Sequence, residues 1–482
     1  MSEHSLVWFR KDLRLQDNPA FAAALGTGLP VIPLYVYAPE EEAPWSPGGA
    51  SNWWLHHALD SLAGELAAIG LPLLIRQGKS LDVLKTLATE YEIGSVFWNR
   101  RYEPAIVERD SAIKQTLRRQ GLNVQSFNSS LLFEPGQIMN QSGKPFRVFT
   151  PFWKHLRKLP VEPPVPLPLE QAVAPLTKPQ SESLESLGLL PEIPWDKEFY
   201  EHWEPGRKGA MAALQTFVGE RVAHYKSGRD LPGVDGTSRL SPFLHWGLLG
   251  PREVWQAVQQ TGAADNAGGY TFLSEIAWRE FAYHLLFHFP DTPKEPLNKA
   301  YNHFPWELDR DYLEAWQSGL TGYPIVDAGM RQLWKTGWMH NRVRMIAASF
   351  LVKHLLQPWQ AGASWFWDTL VDADLASNTM GWQWTAGCGA DAAPYFRIFN
   401  PILQGEKFDP EGIYVSTWVP ELKNLPARYL HQPWEAPAKV LKQAGVRLGT
   451  DYPKPVIAHR AGRERALAAL SANKQINQAK QA

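Results

Sequence analysis

The first 130 residues alternate short apolar runs with segments of helical period. Five of these runs are rich in β-branched and aromatic residues and are predicted to be strands. They are Ser5 to Phe9, Val31 to Tyr37, Pro72 to Ile75, Ser95 to Trp98 and Asn123 to Phe127. Strands that alternate with helices are typical of a parallel sheet with crossover connections. The pattern therefore predicts an α/β, doubly wound, Rossmann-like domain at residues 1–130.

The helices of that domain are marked by their apolar spacing and by proline. The segment Asn52 to Ile69 places leucines at 55, 59, 62 and 66 on one stripe. Pro104 to Arg119 opens with a proline, which suits the first helical turn. Both segments are predicted to be crossover helices.

The chain changes character after residue 130. Ten prolines fall within the 46 residues from Pro160 to Pro205, and acidic residues outnumber lysines there, which predicts an extended linker within residues 131–205. Beyond it, long helical segments such as Ser274 to His288 and Trp334 to His354 predict an all-α domain at residues 206–482.

Composition excludes several classes of protein. Lys and Arg number 48 and Asp and Glu number 49, so the net charge of −1 gives no sign of a polyanion partner. The single cysteine, Cys388, excludes a disulfide framework and Cys-rich metal sites. No run of about 18 apolar residues occurs. We therefore expect a cytoplasmic protein with no metal centre and no membrane attachment.

Residues 421–482 differ from that balance, with eleven Lys or Arg and four acidic residues. Such an excess either forms a solvated face or contacts phosphates, and both interpretations stay open.

Several catalytic motifs are missing from the sequence. It contains no HExxH, no G-x-S-x-G and no spaced set of His and Cys. Gly26-Thr27-Gly28 and Gly78-Lys79-Ser80 each lack a glycine that a dinucleotide or phosphate loop needs. If the protein is an enzyme, we expect a bound cofactor to carry the chemistry.

Polar groups occur at unusual places in the helical half. Thr237 and Ser238 precede a predicted helix start, where their hydroxyls either cap the helix or meet a phosphate. Glu275 and Trp278 share one face of an apolar helix. The Glu275 carboxylate therefore either pairs with a buried arginine or faces a ligand.

Two further blocks mix residue types in the same way. Asn341 and Met345 stand four residues apart on one helix face. Asp372 and Asp374 could pair with Arg344. Taken singly, each residue suits a salt bridge or a core, but together they exceed what a core needs.

These blocks, together with the stretch Trp8 to Arg14, resemble the DNA photolyase and cryptochrome family. The resemblance covers nearly the whole chain and is weakest in the linker. It implies an antenna chromophore in the α/β domain and FAD in the helical domain, reduced in its working state. It also implies a cavity for a pyrimidine dimer flipped out of DNA.

The resemblance also implies roles for particular residues. The FAD-binding positions correspond to Tyr225, Thr237, Ser238, Arg239, Leu240, Ser241, Glu275, Arg279, Trp338, Asn341, Arg344, Asp372, Ala373, Asp374 and Asn378. The positions lining the dimer pocket correspond to Glu275, Trp278, Arg279, Asn341, Arg342, Met345 and Trp384.

Catalysis in such enzymes is an electron transfer. Excited reduced flavin passes one electron to the cyclobutane dimer, the two crosslinking bonds open and the electron returns, so no acid–base triad is needed. Glu275, Asn341 and Asn378 take the catalytic positions beside the flavin and the dimer. Trp306, Trp359 and Trp382 resemble the family's tryptophan chain, which carries electrons to an oxidised flavin under light.

Cyclobutane dimer repair is the first hypothesis, with UV-damaged DNA as the partner. Repair of the (6-4) lesion uses a His where this chain has Asn341, and plant-type cryptochromes usually carry Asp where it has Asn378. Signalling members also tend to carry long tails, whereas this chain ends about 20 residues past Arg460. A cryptochrome-like blue-light photoreceptor stays the second hypothesis, and a light-independent flavoprotein or single-strand-binding module is the least favoured.

The antenna chromophore is expected to be methenyltetrahydrofolate, because Glu108 stands roughly where some members have a folate-binding Glu. The neighbouring Arg100 to Pro104 departs from that pattern, so an 8-hydroxy-deazaflavin is the alternative. We expect a monomer in the bacterial cytoplasm, at the nucleoid when it is bound to damage.

Overall fold

The structure is a computed structural model that describes residues 4–168, 180–392 and 396–480. The chain packs as two compact units. Unit 1 comprises Met1–Ala223, Ser238–Pro290 and Val371–Leu375, and unit 2 comprises His224–Thr237, Asp291–Leu370 and Ala376–Ala482. The predicted division into segments at residues 130 and 205 stays a prediction.

Unit 1 contains a five-stranded parallel sheet with the order β3-β2-β1-β4-β5. Its strands are β1 His4–Phe9, β2 Val31–Tyr37, β3 Leu74–Gln77, β4 Ile93–Asn99 and β5 Asn123–Phe127. The doubly wound prediction is confirmed. Strand β3 begins two residues later than predicted, and Leu71 and Leu73 instead pack as buried loop residues. The strands are nearly continuous apolar runs because helices cover a parallel sheet on both faces.

Helices surround this sheet and continue after it. In chain order they are α1 Pro19–Leu25, α2 Gly49–Ala68, α3 Ser80–Glu90, α4 Pro104–Arg119, α5 Phe149–Leu156, α6 Phe199–His202, α7 Arg207–Thr216, α8 Tyr225–Gly228, α9 Ser241–His245, α10 Pro251–Gln260 and α11 Ala267–His288. All belong to unit 1 except α8. The two predicted crossover helices are confirmed as α2 and α4.

Part of the predicted linker lies along the edge of the sheet. Ile75 of β3 donates its N–H to Ser181 Oγ over 2.9 Å, and its carbonyl accepts from Glu182 N over 3.1 Å. This pairing covers backbone groups that an edge strand would otherwise expose. Residues 169–179 of the linker lie outside the described residues.

Unit 2 is built from helices. They are α12 Arg310–Gln317, α13 Pro324–Thr336, α14 Asn341–Ser349, α15 Trp359–Thr369, α16 Leu375–Ala386, α17 Pro401–Phe408, α18 Ile413–Trp418, α19 Ala427–Leu430, α20 Ala438–Ala444 and α21 His459–Ala479. Helix α16 starts on the last residue of unit 1. Across residues 206–392 and 396–480 the structure has no strand, which confirms the helical prediction.

The single helical segment predicted from Trp334 to His354 is wrong. Helix α13 ends at Thr336, and Gly337 then adopts a φ of +65°, a left-handed conformation that glycine takes without strain. Helix α14 starts at Asn341 and runs into a π-helical turn at Phe350–His354. The glycine therefore turns the chain, and Asn341 occupies the first turn of a new helix.

In the described part of the chain, no helix combines the length and apolarity needed to cross a membrane.

Candidate functional site

The residues predicted to bind cofactor and substrate or to carry electrons divide between the two units. Those in unit 1 are Ser238, Arg239, Leu240, Ser241, Glu275, Trp278, Arg279, Asp372, Ala373 and Asp374. Those in unit 2 are Tyr225, Thr237, Trp306, Trp338, Asn341, Arg342, Arg344, Met345, Trp359, Asn378, Trp382 and Trp384.

A tight turn precedes α9 in unit 1. Arg239 has a φ of +52°, a left-handed conformation that costs energy in a non-glycine residue, and Leu240 returns to the right-handed helical region. When one residue has a left-handed and the next a right-handed backbone conformation, their N–H groups point toward one side and form an anion-binding concavity. Ser238 Oγ lies 3.4 Å from Leu240 N, and Leu240 is the N-cap of α9, so helix capping by Thr237 or Ser238 is wrong.

Two buried aspartates follow in the segment 371–375 of unit 1. Ser241 Oγ donates to Asp372 Oδ2 over 2.6 Å. Asp374 Oδ2 accepts from the Tyr283 hydroxyl and lies 3.5 Å from His245 Nδ1. Both carboxylates are 7% exposed. Hydrogen bonds from two elements therefore hold one oxygen of each of these acids inside unit 1.

The ionisation of Asp374 follows from these partners. Burial raises the pKa of this carboxyl, but the hydrogen bond from His245, the charge of Arg279 and the hydrogen bond from Tyr283 outweigh it and hold the pKa below its usual range. Burial, and then Lys11, lower the pKa of His245, so its imidazole is neutral at pH 7 and can donate from Nδ1. Asp374 is thus a buried anion held by donors.

Helix α11 supplies the residues predicted to meet the substrate from unit 1. Glu275, Trp278 and Arg279 are half-buried on it. The Trp278 indole stacks on Phe149 with ring centroids 3.6 Å apart and planes 9° apart. Arg279 Nη1 donates to Ser130 O over 2.5 Å. The stack fixes Trp278 in one orientation.

The start of α14 carries the predicted substrate residues of unit 2. His340 is buried and caps the helix, its Nδ1 accepting from Arg342 N over 3.1 Å. Asn341 is exposed and Met345, one turn later, is half-buried. Arg342 pairs with Asp230 over 2.8 Å. Helix α14 thus presents an accessible face of amide, thioether and guanidinium.

Arg344, on the same helix, contacts the loop that precedes α14. Its Nε donates to Met339 O over 2.7 Å, and its guanidinium lies 5.9 Å from the ring centroid of the buried Trp338. The predicted pairing of Arg344 with Asp372 and Asp374 joins residues of different units and stays a prediction.

Helix α16 positions Asn378 and two tryptophans in unit 2. Asn378 Nδ2 donates to Ala363 O over 3.0 Å, which fixes the orientation of the amide. Trp382 is 2% exposed and packs against Phe366 and Trp316 at 5.0 and 6.1 Å between ring centroids. Trp384 Nε1 donates to Asp391 O over 3.1 Å.

The other two tryptophans of the predicted electron chain occupy separate surroundings in unit 2. Trp359 is buried at the start of α15, and the half-buried Trp306 packs on Phe304 with centroids 4.3 Å apart. Among the described residues, no ring-to-ring contact joins Trp359 to Trp306 or Trp382. The electron chain therefore stays a prediction.

The carboxyl ends of the strands in unit 1 hold a cavity of about 30 Å³, which is room for a few waters at most. Its lining includes Trp8, whose ring lies under the guanidiniums of Arg10 and Arg109 at 4.7 and 5.0 Å. Arg101 pairs there with Glu42 over 2.7 Å. Side chains thus occupy the place where open α/β sheets bind ligands. Glu108, the predicted folate ligand, is exposed on α4 and does not line this cavity.

Comparison with known proteins identifies the family of this chain. The family model for the FAD binding domain of DNA photolyase matches residues 272–472, and the DNA photolyase model matches residues 5–169. A deoxyribodipyrimidine photo-lyase of Agrobacterium fabrum is 50% identical over 97% of this chain and 98% of its own length. The chain belongs to the DNA photolyase and cryptochrome family.

Other members of the photolyase and cryptochrome family are also similar. Cryptochrome-2 of Arabidopsis thaliana is 41% identical over 98% of this chain and 79% of its own length. The crystal structure of a bacterial class III photolyase from Agrobacterium tumefaciens superposes with a TM-score of 0.95 at 48% identity, covering 98% of both chains. The predicted family and fold are confirmed.

The residues present fit the FAD of a photolyase-family protein. The turn at Arg239 offers backbone N–H groups and the hydroxyl of Ser238 to a diphosphate. Asp372 and Asp374 are acceptors for the hydroxyl and N–H groups of a ribityl chain or ring. In the described residues, no cluster of three or more His, Cys, Asp or Glu is arranged to hold a metal ion.

Sequence reasoning missed three buried residues of unit 1. Tyr283 and His245 contact Asp374, and Glu280 accepts from Leu132 N and Phe133 N over 3.0 and 3.3 Å. A signal was present, because Tyr283 follows Arg279 by four residues and His245 follows Ser241 by four. Residues one turn along a helix from a predicted ligand are candidates to support it.

Proposed function

We propose that this chain repairs UV-damaged DNA by splitting cyclobutane pyrimidine dimers under light, as a deoxyribodipyrimidine photo-lyase. The observation that carries the proposal is the Agrobacterium fabrum relative of that name, which is 50% identical over nearly the whole chain. The accessible face of α14 and the buried acids of unit 1 support it, because the activity needs both a surface for DNA and a site for flavin.

The residues proposed to hold FAD are among those that the family resemblance implies. In unit 1 these are the turn Ser238 to Ser241, Arg279 and the acids Asp372 and Asp374. In unit 2 they are Tyr225, Thr237, Trp338, Asn341, Arg344 and Asn378. When bound and reduced, FAD supplies the electron that opens the cyclobutane ring and takes it back. Because side chains are neither acid nor base in this reaction, their work is to hold and orient.

Each group has a defined task in that proposal. The turn at Arg239 binds the diphosphate through N–H groups, which stabilise negative charge. The carboxylates of Asp372 and Asp374 accept hydrogen bonds from the ribityl hydroxyls or ring N–H groups. The amide of Asn378, fixed by Ala363 O, would face the flavin ring as a hydrogen-bonding group.

The flipped-out dimer would be bound by aromatic and polar side chains. Trp278 and Trp384 offer apolar faces to the pyrimidine rings, and Met345 fills the remaining apolar contact. Glu275 accepts hydrogen bonds from base N–H groups, while Asn341 and Arg342 meet the base edge and the backbone.

A photoreceptor role is not favoured, although cryptochromes are among the similar proteins. Asn378 is the amide that the family resemblance associates with repair rather than with signalling. Asn341 stands where (6-4) enzymes use a His, so a (6-4) activity would lack its catalytic imidazole.

Trp382, Trp359 and Trp306 would carry electrons to an oxidised flavin under light. Trp382 is buried, as an inner member requires, and Trp306 is half-buried, as a surface member requires. Replacing Trp382 by Phe should abolish light-driven flavin reduction and leave repair by chemically reduced protein intact.

The antenna chromophore would be methenyltetrahydrofolate, with 8-hydroxy-deazaflavin as the alternative. The cavity at the strand ends has room for a few waters at most, so the side chains that line it would have to move to admit either molecule there. Extraction of the purified protein followed by mass spectrometry distinguishes the two. We propose a monomer that acts in the bacterial cytoplasm at the nucleoid, where its DNA substrate lies.

The deciding experiment is repair of an oligonucleotide that carries one cyclobutane thymine dimer. The protein's flavin is first reduced, and blue light is compared with darkness. Intact thymines after light and none in darkness are expected. If reduced FAD is bound and light restores nothing, the repair assignment is wrong and a light-sensing role takes its place.

A variant tests the dimer pocket separately. Trp278→Ala should leave FAD content unchanged and weaken binding of dimer-containing DNA about 10-fold or more, because stacking contributes about 1 to 3 kcal/mol per base. Unchanged affinity would show that Trp278 does not meet the dimer.

A further inference from the structure

The segment 371–375 is held in unit 1 by side chains around α9 and on α11. Trp246 Nε1 donates to Val371 O over 3.1 Å, and Ser241 Oγ donates to Asp372 Oδ2 over 2.6 Å. Asp374 Oδ2 accepts from the Tyr283 hydroxyl and lies within hydrogen-bond distance of His245 Nδ1. Three of the five residues in the segment are therefore fixed from outside it.

The contacts of Asp374 are specific in their geometry. Both donors reach the same carboxylate oxygen, Oδ2, from two different helices. Two directions of approach to one oxygen fix the plane of the carboxyl group and so the direction in which Oδ1 faces. Tyr283 and His245 are 6% and 5% exposed, so these bonds form where water competes little.

We propose that Tyr283 and His245 are positioning residues for FAD. They hold the Asp374 carboxyl in one orientation, so that the cofactor site is organised before the cofactor arrives. The inference rests on the proposed function, in which Asp374 faces FAD. It assigns to two residues outside the predicted site the task of orienting a residue inside it.

Tyr283 is the better residue to test because its hydroxyl can be removed alone. The Tyr283 ring packs edge-on against Tyr102 at 6.1 Å and lies under the Arg279 guanidinium at 5.0 Å. Tyr283→Phe keeps these ring contacts and deletes one hydrogen bond to a charged group. Tyr270→Phe is the matched control, because Tyr270 lies on the same helix with its hydroxyl 3.0 Å from Trp153 Nε1 and 42% of its surface exposed.

The experiment is a fluorescence titration of apoprotein with FAD between pH 8 and pH 5. At pH 8 the Tyr283→Phe protein should bind FAD about 10-fold more weakly than the Tyr270→Phe protein, because a hydrogen bond to a charged group contributes about 1.5 to 3 kcal/mol. The difference should stay the same down to pH 5, because His245 and Arg279 still hold the pKa of Asp374 below its usual range and the carboxyl stays ionised.

The pH profile tests whether the loss comes from the hydrogen bond to Asp374 alone. The titratable and charged groups that face Asp374, His245 and Tyr283 are Arg279, Lys11 and Glu103. All are retained in both variants, so their titration cancels in the comparison. A difference in affinity that changed with pH would mean that the substitution alters the titration of these groups, and would overturn the proposal.

A double-mutant cycle gives a second readout. In an Asp374→Asn background, Tyr283→Phe should change FAD affinity less than threefold, because the charge that the hydroxyl served is gone. Additive effects would overturn the proposal. His245→Gln repeats the titration if Tyr283→Phe does not fold. If the unchanged protein binds no FAD, the proposed function fails too, whereas normal binding by both Phe variants overturns only this inference.

Discussion

The predicted site residues of unit 1 and those of unit 2 differ in exposure. In unit 1, Asp372 and Asp374 are buried and each accepts hydrogen bonds from another element. In unit 2, Asn341 is exposed, and Arg342 and Met345 are half-buried along one face of α14. Buried acids held by hydrogen bonds suit a cofactor that stays bound, and an exposed helix face suits a substrate that binds and dissociates.

One buried titratable group in each unit allows a test of opposite responses to pH. Glu280 of unit 1 is a carboxyl whose pKa burial raises to about 7. His354 of unit 2 is an imidazole whose pKa burial, and then His459, lower to about 3. Burial favours the neutral form of both groups in the folded state. Glu280 loses its neutral form as the pH rises, whereas His354 loses its neutral form as the pH falls.

The largest expected effect tests how tightly the side chains of unit 2 pack around Trp382. A Cβ built on Gly362 would lie 2.1 Å from Trp382 Cη2. Gly362→Ala should therefore displace the indole and lower the free energy of unfolding by about 3 kcal/mol. Denaturant unfolding measures the loss.

Gly381 provides the control for that substitution. It lies next to Trp382 in α16, is exposed, and has nothing within 4 Å of a built Cβ. Gly381→Ala should stabilise the protein by about 0.5 to 1 kcal/mol, because alanine loses less backbone entropy in a helix. Equal destabilisation by both substitutions would show that the loss at Gly362 does not come from contact with the Trp382 indole.

The next effect concerns Glu280 in unit 1. A carboxyl with a raised pKa stabilises the fold fully below its unfolded value of 4.5, and that contribution is lost as the pH rises through 7. The loss amounts to about 3 kcal/mol between pH 4.5 and pH 8. Glu280→Gln cannot ionise, so its stability relative to the unchanged protein should rise over this range in urea unfolding. A constant difference would contradict the shifted pKa.

His354 in unit 2 should give the opposite slope. Its Nε2 lies 2.8 Å from His459 Nδ1, and its side chain is fully buried. An imidazole with a lowered pKa stabilises the fold above its unfolded value of 6.5 and loses that contribution as the pH falls. By pH 5 the loss is about 2 kcal/mol.

His354→Gln removes that titration from unit 2. Unfolding at pH 7 and pH 5 should show a smaller acid loss in the variant than in the unchanged protein. Equal acid losses in the two proteins would mean that His354 is protonated in the fold without cost.

The smallest effect sharpens the functional side of the comparison. Arg342→Gln should weaken binding of DNA a few-fold and lower the slope of log affinity against log salt by about 0.9, the value for one phosphate contact. Arg447→Gln is the control in the basic segment 421–482, where Arg447 is exposed and paired with Asp451 over 2.8 Å. An equal change of slope in the control would show that this segment also contacts phosphates.

The sheet could be predicted from the sequence because burial on both faces leaves long apolar runs, and helices α2 and α4 could be predicted from their apolar spacing and a first-turn proline. Strands β2 and β5 and helix α4 have the predicted ends. The break at Gly337 was missed, since the apolar spacing continues on both sides of it and only the left-handed glycine separates α13 from α14. The capping of α9 was missed because Arg239 adopts a left-handed conformation that residue type does not announce.

The sequence alone determined the family, the order of the fold classes along the chain and the residue types a flavin site needs, because motifs and periodicity are local. Only the tertiary structure decided what holds those residues. Asp374 meets Tyr283 and His245 across 91 and 129 positions of sequence, and Trp278 meets Phe149 across a comparable distance. Packing and the free-energy cost of burying a charge without hydrogen-bond donors determine such partners, and the spacing of residues along the chain does not show either of these effects.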